Sequence, residues 1–184
     1  MLSPAMAAAP ASPSLSAQVS GSIGSNFANF SLHEDRDRVE ISGWVGQSSV
    51  YVHQDLGQDS SRLSGTLSHR SRIYPVSLWV NGPQGSRSIS GFVGDLSVHL
   101  QESGGSGMAR LTGWIGSRFV NLWQQNSQGW LSLDGQVGDP GSGRVWLQGR
   151  QSPLQPPVHY EGLIPALALT DPVGLAAPNP PRAT

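Results

Sequence analysis

The 184-residue sequence contains no cysteine and no lysine, and only 12% of its residues are charged. Without cysteine there is no disulfide bond, no thiolate nucleophile and no cysteine-ligated metal. Without lysine there is neither a P-loop lysine nor a Schiff base. The formal net charge of −1 gives no electrostatic reason to expect a nucleic-acid partner. No apolar run reaches the ~18 residues of a membrane helix, so we expect no membrane span.

Proline marks the ends of the folded part of the chain. Residues 1–16 hold three of the 14 prolines and residues 151–184 hold eight, whereas residues 17–150 hold 21 of the 23 glycines. Because proline-rich composition favours extended chain, we predict a β domain over 17–150 between an Ala/Pro/Ser-rich N-terminal tail and a proline-rich C-terminal tail. The apolar stretch from Gly162 to Leu169 has three possible fates: packing on its own domain, staying loose, or fitting a groove on a neighbouring subunit.

The β domain consists of six tandem repeats of about 22 residues. Each repeat contains a segment like Ile41-Ser-Gly-Trp-Val-Gly46. The first glycines of successive segments are spaced by 22, 22, 26, 22 and 22 residues. These structural glycines are Gly21, Gly43, Gly65, Gly91, Gly113 and Gly135. Each repeat continues with a second apolar alternation, such as Val50 and Val52. Because period-2 alternation is typical of strands, each repeat predicts a two-stranded hairpin.

Glycine-rich turns connect the predicted hairpins, as in Asn81-Gly-Pro-Gln-Gly85. The sequence therefore predicts an all-β fold, a twelve-stranded antiparallel meander closed as a barrel or flattened as a sandwich, because closure removes exposed strand edges. A β-solenoid is the main alternative, and a β-trefoil is a further one. A four-residue turn within each hairpin predicts Gly43 opposite Val52, where a missing side chain makes room for a large one.

The sequence shows no pattern typical of a catalytic, cofactor or metal site. No serine lies in a Gly-x-Ser-x-Gly elbow. His53 and Asp55 share one face of a predicted strand, which by itself defines no site. None of the histidines has the i, i+4 partner of a helical zinc site: His33, His53, His69, His99 and His159. We therefore expect that the protein is not an enzyme and binds no metal or cofactor.

Aromatic residues recur on the strand face opposite the aliphatic and glycine column. They are the predicted partner-binding residues: Trp44, Phe92, Trp114, Trp79, Trp123, Tyr51 and Trp146. If exposed, such rows on a rigid sheet stack on sugar rings or form protein interfaces. Alternatively, a second layer, the tails or another copy of the chain buries them. The sequence leaves both interpretations open.

We predict a non-enzymatic structural or assembly protein that contacts other protein chains, including copies of itself, through its aromatic face and proline-rich tails. The alternative is a carbohydrate-binding, lectin-like module that uses its tryptophans as stacking platforms. The Ile-x-Gly-x-Val-Gly repeat resembles bacterial glycine-repeat proteins and hairpin-repeat modules of cell-surface proteins that bind sugars or wall polymers. It differs from the choline-binding type, which has paired aromatics and another glycine placement. A secreted or cell-surface location fits this resemblance, which assigns no residue a role.

Overall fold

Twelve β-strands and one short helical segment make up the described part of the protein in a computed structural model. The structure describes residues 15–35, 37–57, 59–105, 107–127, 129–139, 143–151 and 160–170. The strands are β1 (Leu15–Ile23), β2 (Asn26–Asp35), β3 (Arg38–Val45), β4 (Ser48–Asp55), β5 (Ser60–His69), β6 (Arg72–Asn81), β7 (Ser88–Val93), β8 (Leu96–Gly104), β9 (Met108–Ile115), β10 (Arg118–Ser127), β11 (Trp130–Val137) and β12 (Arg144–Gln151). Most of the two predicted tails lies outside the described residues: 1–14, 152–159 and 171–184.

The strands form a closed antiparallel barrel. Each strand pairs with the next one in the chain, and β1 pairs with β12, with Val19 opposite Gly149 at the seam. This order confirms the predicted all-β meander of twelve strands. It excludes the solenoid and the trefoil, because neither closes one consecutive meander into a single ring. The turns within repeats lie at one end of the barrel, the hairpin end, and the connections between repeats lie at the other, the link end.

Every second residue of each strand points into the barrel. In β3, Val39, Ile41 and Val45 are buried, while Ser42 and Trp44 are exposed between them. The second apolar alternation is buried in all six repeats: Ala28, Phe30, Val50, Val52, Val76, Leu78, Val98, Leu100, Val120, Leu122, Val145 and Leu147. The aliphatic face is therefore the core face, because alternate side chains of a strand point to opposite sides.

The six structural glycines lie in equivalent surroundings. At each of them, a Cβ atom would overlap a backbone carbonyl oxygen of the neighbouring strand. At Gly113 this oxygen belongs to His99, and φ is +145°. Glycine alone combines this close approach with a φ in that range at little cost. The oxygens facing Gly21, Gly43, Gly65, Gly91, Gly113 and Gly135 belong, in that order, to Trp146, Asn29, Tyr51, Ser77, His99 and Asn121.

The predicted register within the hairpins is wrong by two residues. Gly43 pairs with Val50 rather than with Val52. The reason is the turn, which has two central residues, Gly46 and Gln47, instead of four. Gly46 has a φ of +56°, and a tight two-residue hairpin turn requires positive φ at this position.

The third repeat makes its tight turn without glycine. His69 pairs with Arg72, and the two central residues, Arg70 and Ser71, have φ values of +48° and +64°. Residues other than glycine rarely adopt such φ values. The turn lies two residues further from Gly65 than the corresponding turn lies from the other structural glycines, so β5 continues to His69, four residues past its glycine, whereas β3 ends two residues past Gly43.

Residues 160–170 of the C-terminal tail lie inside the barrel, and we call them the inner segment. One α-helical turn (Ile164–Leu167) lies between two 3₁₀ turns (Tyr160–Leu163 and Ala168–Thr170). Residues 160–169 are all buried, in the same core as the strands. Side chains alone fill a barrel of about eight strands, whereas twelve strands enclose a wider space. The inner segment occupies that space, so this stretch packs on its own domain.

Arginines at both ends of the barrel hold the inner segment. At the link end, Arg87 forms an ion pair with Glu161. At the hairpin end, the Arg118 guanidinium donates to Thr170 Oγ1 at 2.7 Å and to the carbonyl oxygen of Ala168 at 3.1 Å. The segment therefore crosses the barrel from one end to the other. No helix in the described ranges is long and apolar enough to cross a membrane.

Candidate functional site: the outer aromatic surface

Large apolar side chains lie on the outside of the barrel. All six tryptophans are between 41% and 50% exposed. The seven predicted partner-binding residues are all exposed at outward positions: Trp44, Tyr51, Trp79, Phe92, Trp114, Trp123 and Trp146. We define the outer aromatic surface as these seven residues and five further exposed ones: Phe27, Ile73, Met108, Phe119 and Trp130. Within the described part of one chain, no second layer covers this face.

Phe27 and Phe119 occupy equivalent positions of the first and fifth repeats, a shared aromatic position that the sequence comparison missed. Each lies directly beside a buried residue of the second apolar alternation, Ala28 or Val120. Counting one residue back from these buried positions places both phenylalanines on the outside. The same rule finds Trp130, which precedes the buried Leu131.

Neighbouring side chains hold five of the six tryptophans. The ring centroid of Phe27 lies 5.4 Å from that of Trp44, and the centroids of Phe119 and Trp114 are 5.3 Å apart. Arginine guanidinium groups lie over three further indoles at 4.6–5.2 Å: Arg62 on Trp79, Arg110 on Trp123 and Arg150 on Trp130. Each cation–π contact at an exposed site is worth about 0.5–1 kcal/mol. Because these contacts restrict the indoles, less freedom is lost on binding a partner.

The predicted residues surround the barrel rather than forming one cluster. Four of the six tryptophans lie on the neighbouring strands β9–β12: Trp114, Trp123, Trp130 and Trp146. Asp134 on β11 pairs with both Trp123 and Trp146 on its two neighbours. Strands β9–β12 therefore carry the densest part of the outer aromatic surface, while Trp44 and Trp79 stand on other strands.

A polar cluster that sequence analysis missed lies inside the barrel at the link end. It contains Arg87, Glu102, Tyr160 and Glu161, and the last three are at most 2% exposed. Glu102 accepts a hydrogen bond from the backbone N–H of Gly85 at 2.8 Å. Burial, and after it the nearby Glu102 carboxylate, raise the pKa of the Tyr160 phenol well above its usual range, although Arg87 opposes this. Because these groups are shielded from solvent, the cluster is suited to anchoring the inner segment.

The sequence signal for this cluster is weak because its members come from distant parts of the chain. Arg87 and Glu161 are 74 residues apart. Glu102 interrupts an otherwise apolar inward column after Val98 and Leu100, and this interruption is a local sign of a buried polar site. Its partner in the tail follows only from the folded structure.

His53 and Asp55 each contact a side chain of a neighbouring strand. His53 Nε2 lies 2.9 Å from Ser64 Oγ, and Asp55 lies 3.5 Å from the guanidinium of Arg38. The two residues that the sequence places on one strand face are therefore each engaged by other groups. No cluster of three or more metal-ligating side chains occurs among the described residues.

Comparison of the chain with models of known protein families, with curated proteins and with solved structures gives no match. Evidence for the function of this protein therefore comes from the geometry and chemistry of the barrel itself.

Proposed function

We propose that the protein is a non-enzymatic structural or assembly protein that contacts other protein chains, above all copies of itself, through its outer aromatic surface. One observation carries the proposal: every tryptophan is exposed at an outward position of a rigid closed sheet. Aromatic residues, methionine and arginine are enriched in the centres of protein interfaces, and lysine, aspartate and glutamate are depleted. The outer aromatic surface has this composition, with arginines stacked on three of its tryptophans.

The charge of the chain also supports self-association. Copies of a protein with a formal net charge of −1 repel one another only weakly. A net charge close to zero favours association, whereas a large charge of one sign keeps a protein monomeric. Burial of apolar area at about 25 cal/mol per Å² then drives contact between the exposed indoles.

The C-terminal tail contributes to this proposal only through its last part. The inner segment is buried in its own barrel, so it offers no surface to another chain. Residues 171–184 follow it in the sequence, and they and the N-terminal tail remain the proposed tail contacts.

Light scattering of the full chain after gel filtration tests the proposal over a range of concentrations. We expect a mass that is a multiple of 19.5 kDa. Substituting Trp130 and Trp146 together by alanine shifts the mass towards the monomer, because both indoles belong to the densest part of the surface. Ser31→Ala, at an exposed position of β2 whose cross-strand partners are Gln18 and Ser42, leaves the mass unchanged. A monomeric mass at every concentration would contradict the proposal.

A second candidate function is carbohydrate binding by the exposed tryptophans. The observation in its favour is that hydroxyl and amide side chains, Thr112 and Asn121, pair in the row between Trp114 and Trp123. Sugar rings need both an apolar platform and hydrogen-bonding partners. Tryptophan fluorescence tests this function, because a bound sugar shifts the emission. An emission spectrum that a glycan panel leaves unchanged would exclude it.

A further inference from the structure

An open groove crosses the outside of strands β7–β10. The side chains that line it come from all four strands: Ser90, His99, Gln101, Arg110, Thr112 and Phe119. None of these residues bears a carboxylate, and the single arginine is the only permanently charged one. The groove belongs to the part of the barrel where Trp114 and Trp123 are about half exposed.

Strand register divides the groove into two walls and a floor. Ser90, His99, Trp114 and Phe119 follow one another across the strands. Ser90, His99 and Phe119 line the groove and form the first wall, and Trp114 packs against Phe119. The next row across the strands is the floor, where Gln101 pairs with Thr112. In the row after it, Arg110 forms the second wall and lies over Trp123. A hydroxyl- and amide-bearing floor therefore lies between an aromatic wall and a guanidinium group.

Both walls are fixed before any ligand arrives. Trp114 and Phe119 meet edge to face, with an angle of 68° between their rings. Arg110 lies over the Trp123 ring at 5.2 Å and donates from Nε to Asn121 Oδ1 at 2.9 Å. A rigid site loses little conformational freedom on binding, which favours affinity for a small or flexible ligand.

We propose that this groove binds a neutral glycan. A pyranose ring has an apolar face, which stacks on Phe119, and hydroxyl groups around its rim, which bond to Gln101, Thr112 and His99. An acidic glycan or a nucleic acid calls for several cations, whereas the one guanidinium here is already bonded to Asn121. An apolar peptide would leave the hydrogen-bonding groups of the polar floor without partners. This inference rests on the second proposed function and names its site and ligand class.

The repeat supplies a matched control for the groove. Trp44 occupies the position of Trp114 in the second repeat and is similarly exposed, 43% against 50%. Its surroundings differ, because Glu40 and Ser49 stand where the fifth repeat has Arg110 and Phe119. A glycan held in the groove therefore depends on Trp114 and is indifferent to Trp44.

Isothermal titration of the full chain with defined sugars tests the inference. The probes are neutral tetrasaccharides of glucose, xylose, mannose and N-acetylglucosamine, and the acidic tetrasaccharide of galacturonate. We expect saturable binding of at least one neutral probe. Trp114→Ala weakens it about tenfold, because it removes the ring that packs edge to face against Phe119 and fixes the stacking platform. Gln101→Ala, at an exposed polar position where folding is not at risk, weakens it several-fold, and Trp44→Ala leaves it unchanged.

Different failures have different meanings. If no probe binds, both the inference and the second proposed function are wrong. If a neutral probe binds with equal strength to wild type, Trp114→Ala and Gln101→Ala, carbohydrate binding stands and the groove is overturned. Binding of galacturonate alone overturns the neutral ligand class. Oligomeric mass is measured separately, so the assembly proposal stands or falls independently of these results.

Discussion

The inner and outer faces of the barrel come from the same twelve strands, yet they hold different kinds of large side chain. Inside, the strands contribute valine, leucine and isoleucine, and Phe30 is the one fully buried aromatic side chain of a described strand. Outside, the large side chains are mainly aromatic. Side chains on the concave face converge, so compact branched residues pack there, while the convex face has room for flat rings. Residue size and hydrophobicity alone therefore do not decide which side chains are buried in this protein.

The two faces also differ in what completes them. The inner face is completed by the inner segment, which fills the space that twelve strands leave open. The outer face has no cover within the described part of one chain. Stability therefore depends mainly on the inner face and the inner segment, and binding depends on the outer face. Four predictions test this division.

The largest effect is expected from removing the inner segment. Truncation after residue 159 deletes the centre of the core and leaves a wide apolar cavity, so we expect loss of cooperative thermal unfolding and of near-ultraviolet circular dichroism. Truncation after Thr170 removes only residues 171–184 and keeps a cooperative transition. A cooperative, native-like melt of the shorter chain would show that the barrel does not need the inner segment.

A smaller but still large effect is expected from Gly113→Ala. The new Cβ overlaps the carbonyl oxygen of His99 at a φ of +145°. Strain and overpacking together cost about 2–6 kcal/mol of unfolding free energy, measured by urea denaturation. Gly105→Ala is the control, because a Cβ at Gly105 meets nothing within 4 Å. Equal midpoints for the two variants would contradict the close-approach role of the structural glycines.

Arg87→Gln compares a buried ion pair with an exposed one. It leaves the Glu161 carboxylate buried without its guanidinium partner, which costs about 3–5 kcal/mol. Arg38→Gln breaks the ion pair of Arg38 with Asp55, in which the two side chains are 48% and 61% exposed. This substitution lowers the free energy of unfolding by at most about 1 kcal/mol. Chemical denaturation of both variants measures the difference. Similar losses would mean that Arg87 does not anchor the inner segment.

The smallest effect is expected from Glu34→Gln, and it depends on pH. Burial raises the pKa of the Glu34 carboxyl above 4.5, so the folded state holds this proton more tightly than the unfolded state. Wild-type stability therefore falls as pH rises through the raised pKa. The glutamine variant is more stable than wild type at pH 7, and the difference disappears below pH 4.5. Thermal melts across that range check the sign, and a wild type that is more stable at pH 7 would contradict it.

Several features could be predicted from the sequence because the same pattern occurs in every repeat. The strand count, the aliphatic core face and the six structural glycines follow from period-2 alternation and equal spacing. Hairpin register could not be predicted in the same way, because a two-residue and a four-residue turn both fit the Gly46 region. A shift of two residues keeps the same side chains facing inward. The predicted core residues are therefore correct although the predicted register is wrong.

The candidate site was predictable in part. Period-2 counting places Trp114 and Trp123 outward, but the floor and walls of the groove depend on which residues of β7–β10 lie side by side. Cross-strand neighbours such as Gln101 and Thr112 are set by register, and register depends on the turns.

The sequence alone determined that this protein forms tandem strands interrupted by glycine, with an aliphatic face and an aromatic face. The reason is that side-chain alternation and the conformational freedom of glycine act within each repeat. Tertiary structure alone decided that the ring closes, that the inner segment enters it, and that Arg87 meets Glu161 across 74 residues. Closure of twelve strands creates a space that no single repeat encloses, and the chain fills it with its own tail.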